Sequence, residues 1–548
     1  MVVVPQAMAY AAIIGINPIY GLFTAIIPAI IGAIFGSFPF LITGPTNPTA
    51  LVTASVLIAF ASRPDYFEYV FAIAILAGVI KIIFGLLKFG KLTKYISNSV
   101  LVGFLTAVGI LIIFSQLGSL LGFKLSSAGG LPGILINLVR NVENINLNTA
   151  ALGLFSISIM LSIRKVNRKL PAAMITILFT ILVTIATGWD AEKGVQFVSL
   201  PENMNMGFHL PKIAFHDFLS LGIPAVALAL LSFMETVSIA KPMSQMTGEP
   251  LDPSREMIGQ GLASLVGGFF QCIPPSGSPS RTALNVVSGA RTRFAAIFSG
   301  LTALLFLVLF SGLFQYIPVA ALAAVVIVSS AGLINPQLIK ITWQSRLQSR
   351  AVMVISLVSA LVLPLEYAVY IGILSTILIF LGESSHMNLS YLIEDESGQF
   401  IELPLEGIKE RQPRIAIVNI EGDLYFAAAE DLQSQITEIL KTDIKVMILR
   451  FRRTHLLAST GVMALDQIIQ AARKQGVRIM LAGLQEEVLE PLQAAGITGL
   501  VGDAHIFRAN VQLFDSTHRA LEEARKYVDA TSAGEHSSEA ANLEKGAL

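Results

Sequence analysis

Cysteine and charge are both scarce in this chain of 548 residues. Its one cysteine, Cys272, excludes a fold held by intramolecular disulfides. Only 14% of the residues are charged and 54% are hydrophobic, whereas soluble proteins carry about 25% charged residues. So much apolar sequence also excludes an intrinsically disordered chain. The first charged residue is Arg63, so the basic leader of a secretory signal is missing as well.

The few charges are unevenly distributed. Residues 1–382 contain 21 Lys and Arg against 12 Asp and Glu, a net charge of +9. Residues 383–548 contain 16 Lys and Arg against 25 Asp and Glu, a net charge of −9. The first part has 33 charges in 382 residues, which is typical of a polytopic membrane domain, and the second has 41 in 166, which is typical of a soluble domain.

Apolar stretches in the first part predict about fourteen membrane spans. Two of these, 40–61 and 272–290, are rich in Gly, Pro, Ser and Thr before they become apolar. The stretch 1–14 is shorter than a span of about 20 residues, so we expect the first span to be truncated. The other predicted spans are 18–37, 67–87, 97–121, 147–163, 171–187, 218–240, 257–270, 293–313, 317–334, 349–364 and 366–382.

Basic residues between the spans predict the orientation, because short cytoplasmic loops collect Lys and Arg. The two long loops predicted to be outside, 122–148 and 188–215, carry only Lys124, Arg140, Lys193 and Lys212. This bias places the acidic C-terminal part in the cytoplasm. The loops predicted to be inside carry Lys88, Lys91, Lys94, Arg164, Lys165, Arg168, Lys169, Arg291, Arg293, Lys340, Arg346 and Arg350.

Residues 42–51 can be aligned with residues 275–284 at a constant offset of 233 positions, with Gly, Thr, Ala and Leu in common. Each segment follows a stretch suited to extended structure, 40–43 or 270–273, is interrupted by Pro and Gly, and leads into an apolar helix. A pair of such segments in two halves of a membrane protein predicts discontinuous helices of a transporter.

The first turns of these two helices predict an anion site. A half-helix that begins inside the bilayer leaves its first N–H groups unpaired and presents about half a positive charge, so it must face a polar cavity or an anion. The side chains there are hydrogen-bond donors suited to oxyanion oxygens, although they could instead only cap the helices. They are Thr46, Asn47, Thr49, Ser276, Ser278 and Ser280.

Arg281 lies in the second broken segment. Because an isolated charge inside a bilayer costs from about 3 to more than about 10 kcal/mol, we expect Arg281 to line the substrate cavity. Alternatively it pairs with a carboxylate or extends to the membrane surface. Gln6 could reach the same cavity or make an interhelical hydrogen bond. Lys81, near the end of its span, is expected to extend to the surface.

Glu235 is the only ionisable residue in the span 218–240, and no histidine falls in any predicted span. Removal from water favours its neutral form, whereas a nearby cation such as Arg281 favours the carboxylate. Glu235 is therefore the candidate proton carrier. The alternative is a carboxylate held in a structural ion pair.

Several of these segments closely resemble the signature of the SulP family of sulfate permeases and related anion transporters. They are Val4-Pro5-Gln6-Ala7-Met8-Ala9-Tyr10-Ala11, Pro18-Ile19-Tyr20-Gly21-Leu22-Phe23, Phe233-Met234-Glu235, Ile258-Gly259-Gln260-Gly261-Leu262-Ala263 and Ser276-Gly277-Ser278-Pro279-Ser280-Arg281-Thr282-Ala283-Leu284-Asn285. The chain departs from the family pattern at Pro279, where Phe is common, and in its incomplete first span.

The resemblance implies two inverted repeats of seven spans, shared with uracil permeases and arranged as a core and a gate. It also implies a substrate between the third and tenth spans, with the core moving against the gate like an elevator. It maps proton coupling onto Glu235. Members with both the Arg and the Glu are similar to proton-coupled sulfate transporters, and several bicarbonate transporters of the family lack the Arg. It maps substrate binding onto Gln6, Thr46, Asn47, Ser278, Ser280 and Arg281.

After a linker over 383–413, residues 414–529 alternate β-like runs with amphipathic helices, which predicts a small α/β domain with a mostly parallel sheet. It resembles the STAS domain that ends SulP proteins. Thr460 is a candidate regulatory hydroxyl, but the loop lacks the Asp of related signalling domains, so Thr460 is expected to cap the next helix. The composition of residues 530–548 predicts a disordered tail.

The predicted function is secondary active transport of an inorganic oxyanion across the plasma membrane, sulfate with proton symport being favoured. Bicarbonate uptake, anion exchange, and dicarboxylate or molybdate uptake stay open. A membrane-anchored STAS signalling protein is disfavoured, because an anchor needs neither broken helices nor intramembrane charges.

No phosphate-binding loop, metal-ligand cluster or nucleophile triad is evident, so no enzyme activity, cofactor or metal is expected. The expected partners are a small inorganic anion, a proton or sodium as coupling ion, the lipid bilayer and a second copy of the chain as a homodimer. Nucleic acid is not expected.

Overall fold

The fold is seen in a computed structural model that describes residues 3–90, 97–123, 125, 129–167, 170–189, 193–198, 206–384, 387–411 and 413–546. The chain forms two compact units, Met1–Ile377 and Leu378–Leu548. Some of the basic residues on which the predicted orientation depends lie outside the described ranges. They are Lys91, Lys94, Lys124, Arg168 and Lys169.

The first unit is helical apart from two short strands, β1 (Thr43–Gly44) and β2 (Ser276–Gly277). Each predicted span corresponds to one helix, α6 and α15 fall between the predicted spans, and the short helix α9 overlaps the start of the span 218–240. The helices are α1 (Val3–Ile14), α2 (Ile19–Phe35), α3 (Asn47–Val56), α4 (Tyr66–Leu86), α5 (Asn98–Leu121), α6 (Gly130–Arg140), α7 (Leu147–Val166), α8 (Ala172–Thr187), α9 (Phe215–Ser220), α10 (Gly222–Thr247), α11 (Pro253–Phe269), α12 (Pro279–Val287), α13 (Phe294–Phe314), α14 (Val319–Ser330), α15 (Pro336–Gln344), α16 (Leu347–Val362) and α17 (Leu365–Ser384).

Within the described ranges, six helical segments are long and apolar enough to cross a membrane by themselves. They are α4, α5, α7, α10, α13 and the segment Val319–Gln344, which comprises α14 and α15. Helices α1 and α2 pass the same test together but are bent by 118° at the break between them. Helices α8, α16 and α17 are apolar and shorter, and α3 and α12 are the broken segments that the sequence predicted.

Helix packing follows the predicted inverted repeat. If α1 to α5, α7 and α8 correspond in order to α10 to α14, α16 and α17, the contact of α4 with α11 becomes the contact of α13 with α2. The contact of α7 with α14 likewise becomes that of α16 with α5. Helices α1–α4 and α10–α13 therefore form one group, the core. The gate is a second group built around α5, α7, α14 and α16.

Close packing of α4 against α11 depends on glycine. A Cβ on Gly78 of α4 would lie 2.5 Å from the main-chain nitrogen of Leu265 and 2.8 Å from the carbonyl oxygen of Gly261. A Cβ on Gly268 of α11 would lie 2.9 Å from the carbonyl oxygen of Phe71. Membrane helices associate through such small residues, because lipid provides no hydrophobic driving force between them.

The second unit contains a six-stranded sheet in the order β4-β3-β5-β6-β7-β8. The first two strands are antiparallel to their neighbours, and β5 to β8 are parallel. The elements are β3 (Asn388–Glu394), β4 (Phe400–Pro404), α18 (Gly407–Arg411), β5 (Ile415–Glu421), α19 (Phe426–Leu440), β6 (Val446–Arg453), α20 (Ser459–Lys474), β7 (Arg478–Leu484), α21 (Glu486–Ala494), α22 (Ile497–Val501), β8 (Ile506–Arg508) and α23 (Asp515–Gly546).

The boundaries predicted for this unit were wrong at both ends. The predicted linker 383–413 contains β3 and β4, which complete the sheet because β3 pairs with both β4 and β5. A turn that begins at Asp395 joins β3 to β4. The Asp395 carboxylate accepts hydrogen bonds from the main-chain N–H groups of Ser397 and Gln399. The predicted disordered tail is helical as far as Gly546, in keeping with its Ala and Glu content.

Arg450 of β6 fastens the segment before α23 to the sheet. Its Nη1 donates to Asn419 Oδ1 at 2.7 Å, and its Nη2 donates to the carbonyl oxygen of Leu513 at 3.1 Å. The guanidinium lies 4.7 Å from the centre of the Phe514 ring. The pKa of Arg450 is lowered to about 10, mainly because the side chain is buried and also because the positive charge of Arg453 repels it.

The sequence predicted Thr460 as the cap of α20, and this prediction was wrong. The helix begins at Ser459, and Ala458 occupies the cap position. The main-chain N–H of Ala458 donates to the carbonyl oxygen of Leu424, and the cap lies two residues earlier than the sequence predicted. Asp423 Oδ1 accepts from the N–H groups of the preceding loop, so this loop is held by a carboxylate from another part of the chain.

We predict that Gly78→Ala lowers the stability of the membrane unit. The added methyl group meets main-chain atoms of α11 that cannot move aside, and overpacking of this kind costs about 1–3 kcal/mol. Gly312→Ala on α13 is the matched control, because nothing lies within 4 Å of its Cβ position. Thermal unfolding in detergent should show a lower midpoint for Gly78→Ala than for Gly312→Ala. Equal midpoints would contradict the close contact between α4 and α11.

Candidate functional site

The two repeats meet where β1 and β2 pair in antiparallel fashion. Thr43 lies opposite Gly277, and Gly44 lies opposite Ser276. The contact continues beyond the strands, because the N–H of Ser278 donates to the carbonyl oxygen of Ile42 at 2.9 Å. The two segments aligned in sequence therefore lie side by side in the structure.

Helices α3 and α12 begin directly after this crossing. Their cap positions are Thr46 and Ser278, both side chains are buried, and neither makes a capping hydrogen bond. Capping alone therefore does not explain these two hydroxyl groups. The two positive helix ends lie near each other with hydroxyl groups beside them, as an anion site requires.

Arg281 is buried in the first turns of α12, and its guanidinium lies against the other repeat. Its Nη2 donates to the carbonyl oxygen of Pro45 at 2.8 Å. A Cβ on Gly44 would lie 2.8 Å from Nη1, so a larger residue there would displace the guanidinium from its present position. Arg281 forms no salt bridge with any carboxylate in the part of the chain that the structure describes. It neither extends to the surface nor is neutralised by contact.

Glu235 lies opposite the same region on α10 and is buried. Its Oε2 accepts a hydrogen bond of 2.9 Å from Thr46 Oγ1 at the start of α3. Thr49 Oγ1 lies 2.8 Å from the same Thr46 oxygen. No salt bridge to Glu235 is found among the described residues, which argues against the structural ion pair. Arg281 is near enough to interact with Glu235 electrostatically.

Residues on either side of Glu235 hold β2 in place. Ser276 Oγ donates to the carbonyl oxygen of Ser232 at 2.9 Å, and Thr236 Oγ1 accepts from the N–H of Gly277 at 2.9 Å. The helix that carries the candidate proton carrier is thereby bound to the strand that leads into α12.

Asn47 connects the site to the gate. Its Nδ2 donates to Ser330 Oγ at the end of α14 at 3.0 Å, and its buried Oδ1 has no partner among the described residues. Gln6 is buried in α1, which packs against both α3 and α14. Ser280 is exposed, so the structure does not bring it into the buried group of predicted ligands.

A second buried network holds β1 against α11. Glu256 accepts from the N–H groups of Ser37 at 2.6 Å and Phe38 at 2.9 Å, in the loop that leads to β1. Gln260 Nε2 donates to Glu256 Oε1 at 3.1 Å and to Thr43 Oγ1 at 2.7 Å. Helix α11 thereby positions β1 as α10 positions β2.

Lys81 was expected to reach the membrane surface, and this expectation was wrong. The side chain is 1% exposed, and its Nζ donates to Ser264 Oγ of α11 at 2.5 Å. Ser264 Oγ in turn donates to the carbonyl oxygen of Gln260 at 3.0 Å. Lys81 lies on the glycine-lined face of α4, where close packing against α11 prevents its stem from extending.

Sequence reasoning missed Ser330, Thr236 and the roles of Glu256 and Ser264. The first two are ordinary hydroxyl residues within apolar helices, and no local pattern distinguishes them. The nearest signal for the other two was the resemblance of residues 258–263 to the family motif, which pointed to this turn of α11 without naming the contacts.

A family model described as the sulfate permease family matches residues 1–358, and one described as the STAS domain matches residues 408–520. Sulfate transporter 4.1, chloroplastic, of Arabidopsis thaliana is 26% identical over 546 residues, covering 95% of this chain and 78% of its own. High affinity sulfate transporter 2 of Stylosanthes hamata is 25% identical over 540 residues, covering 92% of this chain and 80% of its own.

Two solved structures share the fold. SLC26A9 superposes with a TM-score of 0.85 at 19% identity, covering 97% of this chain and 89% of its own. The transmembrane domain of the cyanobacterial bicarbonate transporter BicA superposes with a TM-score of 0.60 at 23% identity, covering 68% of this chain and 94% of its own. Both similarities include the helical membrane unit, and the similarity to SLC26A9 covers nearly the whole chain.

We predict that Ser264→Ala destabilises the protein because it removes the hydrogen-bond partner of the buried Lys81 amine. Leaving a buried donor unpaired costs about 1–3 kcal/mol, and more for a charged group. Ser158→Ala is the control, because Ser158 is exposed and donates only to the carbonyl oxygen of Leu154 in its own helix.

Adding Lys81→Met to Ser264→Ala should recover much of the lost stability, because both polar partners are then gone. Thermal unfolding in detergent of the two single variants and the double variant gives the interaction energy. Additive losses would contradict the contact.

Proposed function

The chain belongs to the sulfate permease family, which is a family of anion transporters, and on this premise we propose that it carries an inorganic oxyanion by proton-coupled secondary active transport. The observation that supports this proposal is the state of Arg281. A buried guanidinium with one carbonyl contact and no carboxylate partner among the described residues has an unbalanced positive charge. An anion bound between the starts of α3 and α12 balances that charge.

The proposed anion site combines three kinds of donor. Arg281 provides charge and parallel N–H donors, which suit the oxygens of a tetrahedral oxyanion. Unpaired N–H groups at the first turns of α3 and α12 provide main-chain donors. The hydroxyl groups of Thr46 and Ser278, together with Gln6 and Asn47, complete the proposed ligands. Ser280 is left out of this site because its side chain is exposed.

Glu235 is the proposed coupling group. A carboxylate beside a bound anion repels it, whereas a protonated carboxyl does not. Proton binding at Glu235 therefore favours anion binding at the neighbouring helix ends, and the two leave together. Thr46 hydrogen-bonds to Glu235 and occupies the cap position of α3, so it connects the two sites directly. Sodium is the alternative coupling ion.

An elevator movement of the core is the proposed transport step. Both broken helices and the helix that carries Glu235 belong to the core, whereas Ser330 belongs to the gate. Movement of the core as one body carries the anion and the proton together past the gate. The packing of α4 on α11 and of α2 on α13 within the core is consistent with such a unit.

Sulfate is the proposed substrate, because the chain aligns over most of its length with proteins named sulfate transporters. Bicarbonate is the second candidate, and the fold shared with BicA favours testing it. We further propose a plasma-membrane location, a cytoplasmic STAS domain and a homodimer. Cross-linking of the reconstituted protein, and protease access to the STAS domain in intact cells, test the last two assignments.

We predict that Arg281→Gln reduces sulfate uptake into proteoliposomes to a few per cent or less of that of the unchanged protein. Loss of the charge removes the attraction for the anion, and Arg281→Lys should recover only part of the uptake because it lacks the planar fork. Arg255→Gln is the control, because Arg255 is an exposed arginine on α11.

Uptake of labelled sulfate and labelled bicarbonate should be measured separately, with the anion concentration varied. Transport of neither anion by the unchanged protein would contradict the proposed function. An unchanged KM in Arg281→Gln would remove Arg281 from the site.

We predict that Glu235→Gln abolishes accumulation driven by an inward proton gradient but retains part of the sulfate exchange at equilibrium. The amide keeps an acceptor for Thr46 but cannot bind and release a proton. Glu249→Gln is the matched control, because Glu249 is exposed beyond the end of α10. Equal loss of accumulation and exchange would indicate a structural role, and an otherwise identical assay with a sodium gradient distinguishes the coupling ions.

A further inference from the structure

A cavity of about 780 Å³ lies between the core helix α10 and the gate elements α5 and α15. It is separate from the buried contacts around Arg281, but Met234, which precedes Glu235, lines one end of it. Along α10 the lining continues through Ser238 and Lys241 to Gln245. Eleven residues of helix span about 16 Å, so the cavity leads from the level of Glu235 towards the end of α10.

One ionisable side chain lines this cavity, as far as the described residues define it, and it is Lys241. Its side chain is exposed, and it forms no salt bridge with a described carboxylate. No Asp or Glu is found on the described walls. A cleft with charge of one sign and low-dielectric walls concentrates the field of that charge and raises the local concentration of counter-ions.

The walls opposite Lys241 add positive potential and hydrogen-bond donors. Ser97 and Asn335 line the cavity as the caps of α5 and α15, so both of these helices begin at its wall. The N-terminal ends of helices carry partial positive charge. Asn98 contributes an amide from α5.

We propose that this cavity contains a second, transient anion site centred on Lys241. Its ligand is the same inorganic oxyanion that binds at Arg281. The identity of this ligand rests on the proposed function. Lys241 attracts the anion into the cavity and holds it near the end of α10, before the anion reaches, or after it leaves, the level of Glu235. A surface lysine that is only solvated would have no such effect.

The first test measures the charge of the cavity and does not depend on transport. Cys272 is the only cysteine, so Cys272→Ser gives a cysteine-free full-length chain, into which Gln245→Cys introduces a thiol one turn from Lys241. The reaction rates of this thiol with a sulfonate-bearing and a trimethylammonium-bearing methanethiosulfonate are compared in proteoliposomes. Lys241→Gln should lower the ratio of anionic to cationic labelling about tenfold, because one charge acts on the two reagents in opposite directions.

Added sulfate should slow the anionic labelling when Lys241 is present and have no such effect in Lys241→Gln. Lys340→Gln is the matched control, because Lys340 is an exposed lysine on α15 that does not line the cavity. If Gln245→Cys fails to fold, Asn98→Cys places the thiol on the opposite wall. A labelling ratio that is unchanged in Lys241→Gln, or that changes equally in Lys340→Gln, would overturn the proposal.

The second test measures transport from the side to which the cavity opens. In oriented proteoliposomes, Lys241→Gln should raise the KM for sulfate several-fold on that side and leave the KM on the other side unchanged, whereas Lys241→Arg should retain the low KM. An unchanged KM on both sides would overturn the subsite even if the labelling is charge-selective. Absence of transport by the unchanged protein would contradict the proposed function instead, and the labelling and its protection by sulfate would still decide the anion site.

Discussion

Main-chain N–H and C=O groups that lie outside a helix at membrane depth need another hydrogen-bond partner. In this protein β1 and β2 provide these partners for each other. Their pairing fixes the starts of α3 and α12 on either side of one point. It also brings the guanidinium of Arg281 against Gly44, where a side chain would displace it. Every proposed ligand on the two broken helices takes its position from this crossing.

The crossing is in turn held by the neighbouring helices of the core. Helix α10 binds β2 through Ser232 and Thr236, and α11 binds β1 through Gln260. Glu235 lies between the two residues that bind β2. The carboxyl group proposed to carry the proton is therefore part of the same rigid support as the anion site. A change of charge at Glu235 acts on the start of α3 through one hydroxyl group, that of Thr46.

Much of this arrangement is predictable from sequence because it depends on residues that are unusual where they occur. Pro and Gly within apolar segments, Arg281 and Glu235 within predicted spans, and the offset of 233 residues all stand out against 54% hydrophobic sequence. Lys81 also stands out, but the depth of its burial depends on the glycines of a helix about 180 residues further along the chain. Local pattern contains no such information.

The same limit explains the other differences. The hairpin of β3 and β4 was assigned to a linker, and only its pairing with β5 shows that it completes the sheet. Ser330 was not singled out because a serine at the end of an apolar helix is ordinary. Its importance depends on Asn47, which lies 283 positions away in the chain.

The hydrogen bond between Asn47 and Ser330 has a mechanical consequence. It joins the first turn of α3, which belongs to the core, to the end of α14, which belongs to the gate. If the core slides past the gate as proposed, this bond breaks in every cycle, and a buried amide without a partner is unfavourable by about 1–3 kcal/mol. In the proposed elevator movement Asn47 would act as a latch, and an anion that accepts a hydrogen bond from the released amide would lower the barrier to movement of the loaded carrier relative to the empty one.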